Sequence, residues 1–382
     1  MNELERQVLD ALYRSCGRLA YDPVPLLKMV LYQYLKGNCS PARWHQEAEL
    51  NEAMRWLGRG YVPARRTWYE FRDRVGDCIE QLHKQLIGRA LEKKHLDPSV
   101  GVQDGTSMAA CASRHRMVNE ETLQKRLALL NTVITNSHNA SEELPKWVPP
   151  TLSGHLDLAD RMEVAGEVLT ERIAQNAAKP SGKRKDSAKI VVSLSDPVAP
   201  LGRDKMKVYR PLYTIQYMIE PTSNLIISYH CEASVSDVGT LIPMIDKTQE
   251  IVREQLQTVL ADSAYCSILD LRDCAERNIE LLAPVQANAF TEKKKQNRTD
   301  AQIPRDQFVW NAIERTYHCP AGHQLTYQGR ERRTRHGDRQ LWQYRYQCNE
   351  SYCQDCPLVE KCLRNGSKCR TIKRLEGQEF LD

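Results

Sequence analysis

The sequence predicts an α/β fold led by an all-helical region, on three observations. An apolar run, Thr258 to Ala261, ends in a single carboxylate, Asp262, and a helix-like run from Ser267 to Arg277 follows. The stretch Val100-Gly-Val-Gln-Asp104-Gly-Thr106 has the same form. Residues 1 to about 95 carry helical periodicity. A buried strand that ends in an acid delivers it to the carboxyl edge of a sheet, where open α/β folds place ligands. Two such acids, Asp104 and Asp262, suggest a divalent-metal site. A strand-end Asp also serves as a helix cap or turn former, so neither signal is decisive alone.

Composition sets bounds. A chain of 382 residues can build two or three domains with cores. Its 41% apolar and 27% charged residues are those of a globular protein. No apolar run approaches the ~20 residues that span a bilayer. The start, Met1-Asn-Glu-Leu-Glu-Arg, has no signal-peptide pattern, so a cytoplasmic location without membrane association is expected. The net charge of +5 is unevenly spread. Lys183, Arg184 and Lys185 cluster, as do Lys293 to Lys295 and the run Arg330 to Arg339. Such patches suit a polyanion, and each also fits a solvated loop. Thirteen cysteines without a secretory signal argue against a disulfide framework. Six of them lie between Cys319 and Cys369, which points to metal.

In the helical region, Asp22 can cap a helix with Pro23 in its first turn. Leu26, Leu27, Val30, Leu31, Tyr34 and Leu35 form its stripe, and Gly37 and Asn38 end it. Ser40-Pro41 opens a second helix with Trp44 and Ala48. A short segment with Met54, Trp56 and Leu57 closes at Gly58 and Gly60. Thr67 then caps a long helix with Phe71, Val75, Ile79, Leu82, Leu86 and Leu91 on one face. Short helices, a tight turn and a helix led by Arg65 and Arg66 fit a helix-turn-helix-like DNA module. A plain bundle with surface arginines fits the same pattern.

Residues 98 to 104 read as the first strand. A helical insertion runs from Thr106 to about Lys179, split by the Pro-rich Leu144 to Pro150. Lys179 to Lys189 reads as an exposed loop. Ile190 to Leu194 and Tyr209 to Ile219 are strands, and Leu225 to His230 returns as a hairpin. Asp237 to about Arg253 is helical, and the strand to Asp262, the helix from Ser267 and a strand Ile279 to Val285 follow. Beyond a polar, basic stretch from Glu292 to Arg305, Phe308 to Tyr346 is β-rich.

In the cysteine segment, Cys353-x2-Cys356 and then Cys362 have metal-knuckle spacing, with Cys319 upstream on its own turn. These four thiolates suit a closed, tetrahedral, structural Zn²⁺ site. Cys348 and His323 are competing ligands, and Cys369 is spare. A reduced, metal-free cluster is the other reading.

These blocks together resemble a family. Val102-Gln-Asp-Gly-Thr106, Leu194-Ser-Asp-Pro197, Tyr209-Arg-Pro-Leu-Tyr-Thr-Ile-Gln216, Leu260-Ala-Asp-Ser-Ala-Tyr265 and Cys353-Gln-Asp-Cys-Pro-Leu358 look like the DDE transposases of bacterial insertion sequences. Tyr21-Asp-Pro23 and Pro63 to Arg72 are similar to the helical domain at the start of those proteins. The resemblance implies an RNase H-like mixed sheet core with an insertion, and cleavage and transfer of DNA strands at element ends with Mg²⁺ or Mn²⁺. It implies double-stranded DNA partners, both terminal repeats and target, a homodimer on paired ends, and a nucleoid-associated bacterial protein. Asp104 and Asp262 take the places of the first two acids. Ala264, Cys111 and Val198 depart from the common Gly, Asn and Asp. The family's third acid is a Glu beyond the cysteine segment. Nothing within 382 residues matches its motif, and Glu376 and Glu379 sit in the lead-in. The expectation is therefore a transposase truncated at its C-terminus. The alternatives are a DNA-binding remnant without catalysis and an unrelated metal-dependent nuclease or phosphatase.

The expected layout is a helical DNA-binding domain over 1–96 and a core over 97–285 with its helical insertion at 106–185. A Cys-rich module follows over 286–370, and 371–382 begins a missing catalytic segment. The expected DNA contacts are Arg65, Arg66, Arg72, Lys183, Arg184, Lys185, Arg332, Arg333 and Arg335. Asp196 reads as a turn or loop residue, with support of the site as the other reading.

Overall fold

The structure is a computed structural model, and it describes residues 6–13, 20–135, 144–179, 181–284, 303–334, 340–363 and 366–380. The chain divides into two compact units. One comprises Met1–Ser99, Glu220–Ile227 and Thr248–Gln255, and the other holds the remainder.

The first unit is helical. Its elements are α1 (Arg6–Asp10), α2 (Pro23–Leu35), α3 (Pro41–Leu50), α4 (Glu52–Leu57) and α5 (Arg65–Glu92). The Asp22 side chain accepts from the Val24 N–H and caps α2 as expected. Gly37, at φ +75°, ends the turn after it, a conformation that a Cβ disfavours. Helix α5 differs from the expected start. It begins at Arg65, and Thr67 lies inside the first turn and caps nothing. Pro63 and the extended Ala64 set the entry, three residues earlier than side-chain chemistry suggested. The buried stripe of α5 is Trp68, Phe71, Val75, Cys78 and Leu82, whereas Ile79 and Leu86 are exposed. Trp44 is fully buried and meets Trp68 edge-on at 6.1 Å.

The second unit is built on a six-stranded mixed sheet. Its strands are β1 (Val100–Ala109), β4 (Leu201–Arg203), β5 (Tyr209–Ile219), β6 (Ile226–Glu232), β7 (Thr258–Ala261) and β8 (Glu280–Leu282). The order is β4-β5-β1-β7-β8, with β6 also on β5. β5 runs antiparallel to β1, while β7 and β8 are parallel to it. A mixed sheet with this sense is the RNase H-like core. One face of β5, Leu212, Thr214, Gln216 and Met218, is buried. Helices α8 (Leu241–Val252) and α9 (Ile268–Glu276) contribute Leu241, Ile242, Met244, Ile245 and Cys274 to the core that includes Met218 and Val259.

Several elements depart from expectation. β1 runs on to Ala109, because β5 pairs with it as far as Ala109↔Leu212. The strand expected at Ile190 to Leu194 shrinks to β3 (Val192–Ser193). It pairs with β2 (Met117–Val118) in a separate ribbon, not in the main sheet. Helix α8 starts at Leu241, not Asp237, since Gly239 adopts φ +87° and breaks the first turn. The insertion is the helical pair α6 (Glu120–Thr135) and α7 (Leu152–Ala177), which bury Leu123, Leu130, Met162 and Leu169 together. Each such side chain contributes about 1.5–3 kcal/mol of burial free energy.

A second sheet of five strands carries the cysteines: β9 (Val309–Asn311), β10 (Thr316–His318), β11 (Gln324–Thr334), β12 (Gln340–Cys348) and β13 (Thr371–Leu375). Helices α10 (Glu350–Gln354) and α11 (Val359–Cys362) link β12 to β13. Thr371–Leu375, expected to open a following segment, pairs antiparallel with β12.

The turn between β5 and β6 gives a pH test. Glu220 is buried and accepts the N–H groups of Thr222 at 2.9 Å and Ser223 at 2.5 Å. Burial pushes its carboxyl up, but these hydrogen bonds outweigh burial and hold it below its usual value. A depressed folded value stabilises above the unfolded value of about 4.3 and is lost as pH falls through the folded one. Glu220→Gln should therefore flatten the acid limb of a pH series of unfolding midpoints, and an unchanged limb would contradict this.

Candidate active site

Two parallel strands bring the expected acids together. The β1–β7 ladder runs from Val100↔Thr258 to Gln103↔Ala261 and stops there. Asp104 and Asp262 are the next residue on each strand. β1 continues past this point while β7 ends. Asp104 is therefore not at the end of its own strand, as the sequence suggested, but at the end of its neighbour's. Both side chains are exposed. Alternation puts them on the face opposite Gln103, which is buried.

Each carboxylate is oriented by a backbone N–H. Asp104 Oδ1 accepts from Gly105 at 2.7 Å, and Asp262 Oδ1 accepts from Ala264 at 2.6 Å. The Tyr265 N–H returns to the Asp262 carbonyl at 3.2 Å, so residues 262–265 form a tight turn. The Tyr265 phenol is buried, and burial, then the charges of Asp237, Asp104 and Asp262, push it well above its usual value. Asp237 thus belongs to the surroundings of this site, which sequence reasoning missed. The stretch Ser234-Val-Ser-Asp237 reads locally as a helix start, and only the fold carries it beneath the sheet.

Asp196 is a turn residue here. Its Oδ1 accepts from the Ala199 N–H at 3.3 Å and from the Tyr213 hydroxyl at 2.7 Å. Burial and then this bond push the Tyr213 phenol up to about 12. Arg172 of α7 donates to the carbonyls of Val191, Pro197 and Val198 and holds the same loop.

Glu376 and Glu379 lie elsewhere. Glu376 accepts the Trp342 N–H at 3.0 Å, and Glu379 stands 3.9 Å from Arg374. Among the described residues, no group of three or more His, Cys, Asp or Glu could hold a metal ion.

The cysteine sheet does gather its thiols. Cys319, His323, Cys348, Cys353, Cys356 and Cys362 line one cavity of about 20 Å³. The His323 N–H points at Cys319 Sγ (3.3 Å) and the Leu358 N–H at Cys356 Sγ (3.4 Å). Burial first, then Cys353, push the Cys348 thiol up. Gln347 donates to Cys369 Sγ at 2.7 Å. The thiols share a cavity without the arrangement of a metal cage.

The candidate DNA contacts fall on separate surfaces. Arg65 and Arg72 flank the Tyr69 ring at 5.9 and 5.4 Å, and Arg66 pairs with Glu70 at 2.7 Å. Lys183, Arg184 and Lys185 lie at an exposed 3₁₀ turn. Arg330 and Arg332 of β11 lie over Trp342 at 4.1 and 5.1 Å. Arg333 lies on β11, but its side chain falls outside the described residues, as do Arg335, Arg339 and Lys293 to Lys295. No described helix is long and apolar enough to cross a membrane.

Two family models match the chain: a Transposase DDE domain over residues 183–348 and a Transposase domain (DUF772) over residues 1–74. The chain belongs to the DDE-type transposases of insertion sequences. The DDE-domain match includes Asp262, Cys319 and Cys348, whereas Asp104, Cys353, Cys356 and Cys362 fall outside both matches. No curated protein and no solved structure matches the transposase. Membership makes it an enzyme of DNA transposition with DNA as substrate, in a family that uses Mg²⁺ or Mn²⁺.

The Asp196 loop gives a prediction. Tyr213→Phe removes one charge-assisted bond to a part-buried carboxylate and should cost about 1.5–3 kcal/mol in denaturant unfolding. No change would show that the Tyr213 bond adds nothing to the hold of Arg172 and the Ala199 N–H on this loop.

Proposed function

We propose that this transposase cleaves DNA at element ends and joins the freed 3′ end to target DNA, using Asp104 and Asp262 as metal ligands. The observation that carries this reading is their position, one step past the shared end of the β1–β7 ladder. The donor set fits Mg²⁺ or Mn²⁺. Both acids are hard oxygen donors, both are exposed, and each spends only Oδ1 on a backbone N–H among the described residues. Such ions keep several waters and need only a few protein carboxylates beside substrate phosphate. When bound, the metal supplies activation of the attacking oxygen and charge stabilisation at the leaving one. The N–H groups of Gly105 and Ala264 hold the two carboxylate planes. The exposed face around them is where a phosphodiester would lie.

DNA binding would rest on other residues. Arg65, Arg66 and Arg72 of α5 form one positive surface. Lys183, Arg184 and Lys185, at an exposed turn, would supply a second, and Arg332 on β11 would contribute from the cysteine module, with Arg333 and Arg335 proposed beside it in sequence. Their range in sequence supports the layout of a helical DNA-binding domain, a core with a helical insertion and a Cys-rich module. Two element ends would be held by a homodimer. In the Cys-rich module, Cys319, Cys353, Cys356 and Cys362, which do not form a metal cage as they stand, would take a structural Zn²⁺ by turning their thiols towards one point. The shared cavity and the N–H contacts to two of the sulfurs support that set.

Binding and cleavage should separate on mutation. Duplex DNA carrying the element ends should bind with steep salt dependence, because counterion release drives that term. Asp104→Asn and Asp262→Asn should leave binding within about twofold and lower Mg²⁺-dependent strand cleavage about 100-fold or more. Binding without cleavage in the unaltered chain would select a DNA-binding remnant, and no binding at low salt would exclude both. Elemental analysis should give about one zinc per chain, with a zinc-free protein refuting the Cys₄ site.

A further inference from the structure

The buried face of the sheet carries a polar chain directly beneath the two acids. The Tyr265 hydroxyl donates to Gln216 Oε1 at 2.7 Å, and Gln216 Nε2 donates to Asp237 Oδ1 at 2.7 Å. Gln216 is completely buried, and Tyr265 nearly so. Gly105 stands opposite Gln216 in the β1–β5 ladder. A Cβ there would lie 2.7 Å from Asp237 Oδ1, 2.8 Å from the Tyr265 hydroxyl and 2.9 Å from Gln216 Nε2. No real Cβ comes so close, so glycine at 105 is what lets the chain pass under β1.

The same segment is tied at two more points. Thr214 Oγ1 donates to the Ser234 carbonyl at 2.7 Å. Gln103 Nε2 donates to Thr240 Oγ1 at 3.2 Å, and Thr240 Oγ1 donates to the Asp237 carbonyl at 2.8 Å. Both neighbours of Asp104 along β1, Gln103 and Gly105, therefore rest on residues 237–240. Tyr265 ends the tight turn that starts at Asp262. The chain thus links the turn of one acid to the strand of the other, from the side away from solvent.

We propose that Tyr265, Gln216 and Asp237 form a strut that sets the spacing of Asp104 and Asp262. Tyr265 and Asp237 are positioning residues, and neither ligates metal. This rests on the reading of the two acids as metal ligands. β7 ends at Ala261, so no ladder bond fixes Asp262 against Asp104, and the strut supplies that constraint. Outer partners that orient ligands are commonly worth 10–100-fold in metal affinity. Mg²⁺ demands near-ideal geometry and Mn²⁺ tolerates more, so a loosened pair should lose Mg²⁺ first.

The chemistry of Asp237 separates positioning from ligation. In Asp237→Asn the new side-chain oxygen still accepts from Gln216, so the strut persists although the charge is gone. In Asp237→Ala the Gln216 amide loses its anchor. Mn²⁺ affinity would be measured by calorimetry on the full chain, with Mg²⁺ by competition and thermal unfolding as the folding check. Asp237→Ala and Tyr265→Phe should weaken Mn²⁺ about tenfold and Mg²⁺ by more, while Asp237→Asn stays within about twofold of the parent. Unweakened metal binding in folded Asp237→Ala and Tyr265→Phe would overturn the strut. Asp237→Asn as weak as Asp237→Ala would overturn it too, by showing that the charge itself acts on the metal. Asp104→Ala is the separate control: if it keeps full Mn²⁺ affinity, the ligand assignment fails whatever the strut variants do.

Discussion

The parallel pairing of β1 with β7 is the constraint on which the rest of the site depends. It fixes the level at which two distant carboxylates leave the sheet, and it stops one residue before both of them. A longer β7 would bury Asp262 in a ladder. A shorter β1 would lose the pairing with β5 that runs on to Ala109. The unequal lengths leave Asp104 on a braced strand and Asp262 on a turn. A carboxylate on a turn is mobile unless something beneath it is held, and the buried polar chain through Tyr265 is the bracing proposed for it.

The two faces of the sheet divide the work. The covered face holds Met218, Val259 and the apolar side of α8, together with a line of buried polar groups. Thr214, Gln216 and Gln103 are costly to bury, and residues 234–240 partner the Thr214 hydroxyl and the amide N–H groups of Gln216 and Gln103, while Gln103 Oε1 has no hydrogen-bond partner among the described residues. Directional hydrogen bonds among buried polar groups specify one arrangement more sharply than apolar packing does. The opposite face carries Asp104 and Asp262, with Leu260 and Leu282 also exposed. Packing and buried hydrogen bonds are built on one side, and the two exposed carboxylates stand on the other.

Much of this was legible in the sequence where the signal was local. The Asp22 cap, the Tyr209–Ile219 strand and the apolar run into Asp262 depend on neighbours along the chain, and all three appear. Cys319, Cys353, Cys356 and Cys362 line one cavity, and the Zn²⁺ site read from their spacing stands as a proposal. What failed was non-local. Periodicity cannot see that β5 pairs with β1 across a hundred residues and so lengthens it to Ala109. Nor can it see that Val192–Ser193 pairs with Met117–Val118 outside the main sheet. Asp237 was hidden because its role depends on Gly105 and Tyr265, each remote in sequence. The wrong cap at Thr67 has a simpler cause: a favourable residue type outweighed Pro63 and the extended Ala64 that set where α5 begins.

The central claim is that Asp104 and Asp262 act as one unit because of where the β1–β7 ladder stops. A double-mutant cycle on Mg²⁺-dependent DNA cleavage tests it most directly, since ligands of one site are strongly non-additive and independent sites add. With Asp104→Asn, Asp262→Asn and the pair compared, the double variant should be no slower than the slower single. Losses that multiply across the two substitutions would contradict a shared site.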